Sequence, residues 1–435
     1  MRGELSQIDV TVIGGGLAGM AASFHLAKAG MKVVCIDPDT ETSKAVGESL
    51  DWSAPDLLSA LGFPMQRLIG EGIGTYKRHV TLRLGNGCDR HYVPSEWLGR
   101  PPFNVELRTL HVDRLRLNRE LLISALSHGV ELIRDKVVEV EKKEQTVTAV
   151  ITSEGRSISS SWFIDASGAA ASLFPRAFQL PMYAYGPKKV AVWTYFDVPE
   201  MVEGTTLYAH GTMPSYMEWI WEIPIRPGAI SVGYVATGEA IKLKRKQGLS
   251  IEEIFREQLG HFPRFERLLQ TAKADAPWVT SYLCCGYRKV AGPNWFVAGE
   301  AASMVDPMTA NGVTAALRHA EEATDLILRN RRQGRLPRRC TSMYSRRVSD
   351  LGRFFNSGIE RVVYDWPIRK RIGVLNAGDL YTVPAWTLNN IYSRLRPKGV
   401  ASTLLFGSLL NVIRISAELY HSLCRRLESS RNVTG

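Results

Sequence analysis

Four glycines within six residues constrain this chain more than any other feature. Gly14-Gly15-Gly16-Leu17-Ala18-Gly19 stands between an apolar run, Ile8 to Ile13, and an alanine-rich stretch ending at Ala29. The run predicts a buried strand, the stretch predicts a helix, and Lys32 to Ile36 predicts a second strand closed by Asp37. Each residue has a task in such a unit. Gly14 permits the tight turn, Gly16 lets the backbone approach a pyrophosphate, and Gly19 lets the helix pack on the strand. The helix start at Leu17 and Ala18 offers N–H groups and partial positive charge to phosphate oxygens. Asp37 is placed to accept hydrogen bonds from ribose hydroxyls. Glycine turns are common, but the strand, the helix and the acid at the right distance together predict a dinucleotide-binding βαβ unit.

With 435 residues, two coupled domains are expected rather than one core. Hydrophobic content of 45% and charged content of 22% are those of a folded globular chain. The net charge of +11 favours acidic partners, anionic substrates or an anionic surface. No nucleic-acid motif accompanies it, so no nucleic-acid partner is expected. Cys35, Cys88, Cys284, Cys285, Cys340 and Cys424 lack CxxC spacing, which predicts free thiols and neither a disulfide framework nor a metal site. Met1 to Gln7 is polar and lacks the apolar run of a signal peptide, so a cytoplasmic location is expected.

Three later segments carry a family resemblance: Asp165-Ala166-Ser167-Gly168 after a strand from Trp162 to Ile164; Trp295-Phe296-Val297-Ala298-Gly299-Glu300-Ala301-Ala302; and Asp306-Pro307 followed by Gly312-Val313 and an alanine-rich helix. With the N-terminal unit, over roughly the first three-quarters of the chain, this resembles the FAD-dependent monooxygenases and flavin-dependent halogenases built on the glutathione-reductase-type FAD fold. The resemblance implies FAD rather than NAD. It also implies that Glu300, where aspartate is usual, reaches the ribityl chain, and that Pro307, Gly312 and Val313 belong to the flavin site. Gly47-Glu48-Ser49 looks like the family's loop beside the isoalloxazine, so Glu48 and Ser49 join the cofactor residues. Arg114 looks like the arginine close to the flavin; a surface helix charge is the competing reading. No second glycine-rich βαβ unit is evident, and Asp-Ala-Ser-Gly is similar to the form in two-component enzymes. A separate flavin reductase is therefore expected.

Trp219-Ile220-Trp221-Glu222-Ile223-Pro224 matches the WxWxIP signature of halogenases, on what also reads as a strand with Trp219 and Trp221 on one face. Lys77 looks like the lysine that relays hypohalous acid between flavin and substrate pockets, although Arg78 and His79 beside it also fit a solvated basic strand. Against a halogenase, Met304 and Ala310 stand where the halide loop has phenylalanine and serine. This ranks an FAD monooxygenase first, using reduced flavin and dioxygen on an electron-rich, aromatic substrate, with a halogenase second. An FAD-dependent reductase of a lipid-like double bond is third, and a non-enzymatic interaction protein fourth.

Lys189 to Val198, Met217 to Pro224 and Ala229 to Val235 predict strands of a substrate-side sheet. Trp193, Tyr195, Trp219 and Trp221 alternate along them, half as core and the rest, Trp219 and Trp221 first, as substrate pocket. The substrate is an aromatic small molecule or one borne on a carrier, peptide or protein. Arg329 to Arg371 is dense in arginine, including Arg331, Arg332, Arg335, Arg338, Arg339, Arg346, Arg347, Arg353, Arg361, Arg369 and Arg371, a surface suited to an acidic protein partner. Ala401 to Leu427 predicts a last helix whose apolar run, Thr403 to Ile413, is too short to span a membrane. Packing on the body is preferred there to peripheral membrane contact. The sequon Asn432-Val433-Thr434 carries no weight without a secretory signal. The expected fold class is α/β: a Rossmann-type FAD-binding domain (1–180 and 280–330), an inserted antiparallel substrate-side sheet (181–279), and a basic helical C-terminal region (331–435).

Overall fold

The computed structural model describes residues 8–38, 46–83, 90–92, 108–199, 203–211, 216–271, 275–365 and 400–431. Met1 to Gln7, Cys88, Arg369, Arg371 and the sequon at Asn432 lie outside the described residues.

The glycine-rich turn sits where its neighbours predict. Strand Val10–Ile13 runs into helix Leu17–Lys28 and back into strand Val33–Ile36. These join a five-stranded parallel sheet in the order Trp295–Val297, Trp162–Asp165, Val10–Ile13, Val33–Ile36, Glu131–Ile133. All-parallel strands are covered on both faces and read as continuous apolar runs. Val10, Val12, Phe163, Ile164 and Phe296 are accordingly buried, each contributing about 1.5–3 kcal/mol.

A seven-stranded sheet forms the second layer. Its order is Trp278–Tyr282, Lys189–Asp197, Ala229–Thr237, Glu218–Arg226, Thr205–His210, Val80–Arg83, Arg90–Tyr92. The pairing is antiparallel except between Thr205–His210 and Val80–Arg83, which run parallel. Two of its strands thus come from within 1–180, so the substrate-side sheet is assembled from two separated stretches rather than from 181–279 alone. Lys77, at the end of a two-stranded ribbon with Thr109–Val112, is followed at once by the strand that enters this sheet.

Period-two alternation gives the second sheet two faces. Ile220, Val232 and Tyr234 pack under helices Gly238–Lys246, Ile251–Leu259 and Pro263–Thr271. Trp219, Trp221 and Ile223 face the other way, toward Phe354, Phe355, Val363 and Tyr364 of the C-terminal helical region. That region is helix Arg338–Gly358, a π-helical turn Ile359–Val363 and helix Val400–Arg431. The last is longer than the predicted 401–427, and by length and composition alone it is apolar enough to cross a membrane. Its contacts along the body, described below, lay it on the protein surface.

Candidate active site

A cavity of about 740 Å³ opens between the two sheets. Gly16, Leu17, Ala18, Glu48, Ser49, Lys77, Arg114, Trp219, Trp221, Glu300, Pro307, Gly312 and Val313 all line it. Gly14, Gly19 and Asp37 are not among its lining residues and act within the turn itself. Gly14 has φ +103, and a Cβ there would run into the carbonyl of Ala166. A Cβ on Gly19 would fall on the carbonyl oxygen of Gly14, whereas Gly16 has nothing within 4 Å and faces open space. The Asp37 carboxylate accepts the Gly15 N–H, so in this structure it pins the turn.

Helix Leu17–Lys28 begins without a side-chain cap and without an acid in its first turn. Its N-terminal N–H groups are left for an anionic ligand. The loop carrying Glu48 is clamped from the opposite side. Gly47 has φ +115, and Arg114 donates to the carbonyls of Val46 and Gly47 at 3.2 and 3.3 Å. Arg114 opens helix Arg114–Ser127, and its side chain is buried, which decides against the surface-charge reading. Its Nε is buried with no hydrogen-bond partner among the described residues.

Glu48 is wholly buried. Its carboxylate accepts from Gly47 N at 3.1 Å, Ser231 Oγ at 3.2 Å and Tyr195 OH at 3.4 Å. Burial pushes its pKa up, opposed by these hydrogen bonds and by Arg114. Ser49 shares a hydrogen bond of 2.9 Å with Thr205 of the second sheet, tying the two layers together at the cavity edge. Glu300, in the turn Gly299–Ala301, is open to the cavity yet enclosed by the surrounding protein. Burial raises its pKa and Arg114 opposes the shift. An uncapped helix start, an orphaned arginine nitrogen, an acid aimed into the space and a glycine with room in front of it fit a dinucleotide and its flavin ring.

Lys77 is not on a solvated strand. The chain alternates there, with Tyr76 and Arg78 exposed and Lys77 only 3% exposed. Its Nζ donates to the Leu50 carbonyl at 2.9 Å and sits 4.9 Å from the centre of the Trp52 ring. Burial lowers its pKa to about 8, with Asp51 opposing. Trp219 and Trp221 line the cavity and are hydrogen-bonded from behind: Trp221 Nε1 donates to Ser231 Oγ, itself bonded to Glu48, and Trp219 Nε1 donates to Tyr364 OH, each at 3.0 Å. Trp193 does not line the cavity. It packs on Trp278 with centroids 5.9 Å apart, and Tyr195 serves Glu48.

One part of the site escapes sequence reasoning. Asp306, before Pro307, is the hub of a buried network. Tyr364 OH lies 3.0 Å from both of its carboxylate oxygens, and the Lys189 amine is 3.4 Å away. Lys189 is also 2.8 Å from Glu360, which accepts from Tyr216 OH at 2.8 Å. Burial pulls the Lys189 pKa down, but Asp306 and Glu360 together hold it above its ordinary value, so the amine stays protonated. Asp306 also caps the turn Pro307–Thr309, after which Ala310 adopts φ +55. Alanine, where serine was expected, takes this left-handed step, and Met304 pairs with Cys285 in a small sheet. A lysine opening an otherwise apolar strand was the available signal; its partners lie more than a hundred positions away.

Comparison with known proteins agrees with this geometry. The tryptophan halogenase family model matches residues 103–337, more than half of the chain. The chain belongs to the tryptophan halogenase family. A pyridine nucleotide-disulphide oxidoreductase model matches residues 8–182, the glycine-rich end. Family and fold together identify the cofactor as FAD. Among curated relatives, a tryptophan 2-halogenase from Chondromyces crocatus is 29% identical over 72% of this chain and 60% of its own length. A 1H-pyrrole-2-carbonyl-[peptidyl-carrier protein] chlorinase from Pseudomonas fluorescens is 27% identical over 74% of this chain and 75% of its own length. The chain thus spans less than two-thirds of the Chondromyces relative. Among solved structures, the flavin-dependent brominase Bmp2 superposes with a TM-score of 0.71 at 19% identity, covering 93% of this chain and 98% of the brominase.

Proposed function

We propose that this halogenase-family chain delivers electrophilic halogen through Lys77 to an electron-rich aromatic substrate. The observation that carries this reading is the position of Lys77: its amine is buried at a cavity that both the flavin loops and Trp219 and Trp221 line. The relatives' activities support halogenation over the oxygenation that Met304 and Ala310 suggested.

Gly16, the N-terminal N–H groups after it and Asp37 would hold the adenosine diphosphate part of FAD. Glu48, Ser49, Arg114, Glu300, Pro307, Gly312 and Val313 would hold the flavin and its ribityl chain. Bound and reduced, FAD supplies the chemistry that turns dioxygen and halide into hypohalous acid. The chain does the rest. With a pKa near 8, the Lys77 amine is mostly protonated at neutral pH and donates a hydrogen bond to the hypohalous oxygen. The substrate ring, packed against Trp219 and Trp221, attacks the halogen. The carbon–halogen bond forms, the halogen–oxygen bond breaks, and the departing hydroxide leaves as water with the ring proton. Burial on both sides excludes bulk water from the reagent.

Electrons come from a separate flavin reductase, in keeping with the Asp165-Ala166-Ser167-Gly168 form and the single glycine-rich unit. The substrate is a free aromatic molecule or one presented on a carrier, as the name of the Pseudomonas relative suggests.

The test supplies reduced FAD through a reductase, with bromide and a halogen-trapping dione, to the wild type and Lys77→Ala. The wild type should brominate the dione, and the variant should lose this by roughly a hundredfold or more, as when a positioned donor is removed, while oxygen uptake persists. No bromination, with hydroxylation of an aromatic substrate instead, would establish the monooxygenase reading that Met304 and Ala310 favour.

A further inference from the structure

Helix Val400–Arg431 has two unlike faces. Its inner face, with Thr403, Leu410, Ala417 and His421, is buried, Leu410 and Ala417 packing with Leu351, Phe354 and Val362. Ion pairs of Arg361 to Glu418 at 2.9 Å and Arg425 to Asp365 at 2.5 Å, with a hydrogen bond between His421 and Asp365 at 2.9 Å, fix it there. Its outer face is apolar and open. Leu405 is 74% exposed, Leu419 62% and Val412 60%, with Leu409, Ile415 and Leu423 beside them. From Ala401 to Ser422 no exposed position of this helix carries a charge, because Arg414 and Glu418 are turned inward and paired at 2.7 Å. The face is about 30 Å long at the rise of an α-helix. Among the described residues nothing covers these side chains, and monomeric soluble proteins rarely leave large apolar patches uncovered.

Charge ends the face. In the sequence Arg394, Arg396 and Lys398 precede the helix, and exposed Arg425 and Arg426 end it. Alongside runs a groove of about 1840 Å³ lined by Arg288, Arg346, Arg353, Arg361 and Arg414, with Ile415 on its rim. The acids in that groove are committed, Asp350 to Arg346, Glu360 to Lys189, and Glu418 to Arg361 and Arg414, which leaves Arg288, Lys289, Arg338 and Arg353 as the excess of positive charge along it. An apolar strip flanked by unbalanced arginine matches an interface rich in anionic headgroups.

We propose that this helix docks the protein on an anionic phospholipid surface, its outer face in the acyl boundary and the groove arginines among the headgroups. A second copy fits less well. Packed parallel, two such helices would set Arg425 and Arg426 against their own copies, and in either direction the groove's excess cations would go unmatched. An acidic protein would satisfy the groove and leave the apolar face bare.

The experiment is co-flotation of the FAD-loaded full chain with vesicles of equal parts phosphatidylcholine and phosphatidylglycerol, and with phosphatidylcholine alone. The wild type should float with the anionic vesicles and bind the neutral ones at least about tenfold more weakly. Leu405→Ser/Leu419→Ser should weaken anionic binding by about tenfold or more with bound-flavin absorbance and thermal midpoint unchanged. A wild type that stays in the dense fraction overturns the proposal, and this arm needs no variant to fold. A variant that floats as well as the wild type overturns it too. So does sedimentation showing a wild-type dimer that the double substitution dissociates without any lipid binding.

Discussion

Replacing Lys77 by methionine should separate what the site does for chemistry from what it costs in stability. The drop in the Lys77 pKa from 10.5 to about 8 corresponds to about 3 kcal/mol against the charged amine at neutral pH. Methionine has a similar length and removes that cost. It also withdraws the donor from the Leu50 carbonyl, at about 1 kcal/mol, although Thr109 Oγ1 remains 3.4 Å from that oxygen. The balance is a stabilisation of about 1–2 kcal/mol at pH 7, or about 1–2 °C in thermal midpoint for a chain of this size. The pH dependence has a definite sign. Below pH 8 both folded and unfolded lysines are protonated, and the penalty on the wild type is complete. Between 8 and 10.5 the folded amine releases its proton first, so the wild type regains stability as pH rises and the advantage of the variant closes by about pH 10. Thermal melts of both FAD-loaded proteins at pH 7 and pH 10, with dione bromination measured alongside, test this. A variant less stable at pH 7, or a difference that does not move with pH, would refute a buried, desolvated Lys77.

Two further substitutions probe the rest of the site. Gly47→Ala places a Cβ 2.7 Å from Arg114 Nη1 on a backbone at φ +115, so FAD affinity should fall tenfold or more, read by fluorescence titration of the apoprotein. Lys189→Met leaves Asp306 and Glu360 buried without their cation and should destabilise by about 3–5 kcal/mol; denaturant melts check the loss, and Asp306→Asn added to it should restore part of the stability.

The glycine-rich unit was legible because its physics is local: strand, turn and helix follow one another, and each glycine answers to a neighbour within a few residues or to the adjoining strand. Glu48, Arg114 and Glu300 were found through motif resemblance, and the structure brings them to one cavity. Lys77 was harder. Its basic neighbours suggested a wet strand, and only the alternation of Tyr76, Lys77 and Arg78 about the ribbon shows that the middle one points inward. The Lys189, Asp306, Glu360 and Tyr364 network left only Lys189 as a local trace, since spacing reports periodicity within an element and not the meeting of a strand, a loop and a π-helical turn. The last helix packs on the body as its apolar run suggested, but which side of it the body covers depends on the distant Asp365 and Arg361, which no spacing reports.

The parallel pairing of Val80–Arg83 with Thr205–His210 bears on how the enzyme is made. Those strands are separated by more than a hundred residues, so the loop between them must be closed before the pairing returns any stabilisation. On the ribosome the early strand emerges long before its partner, and Lys77, three residues ahead of it, has meanwhile only its ribbon with Thr109–Val112 and the Leu50 carbonyl to hold it. Such non-local closure is slow. The sheet that carries Trp219 and Trp221 is therefore set late, and a half-made chain can present the glycine-rich turn before it can enclose the cavity.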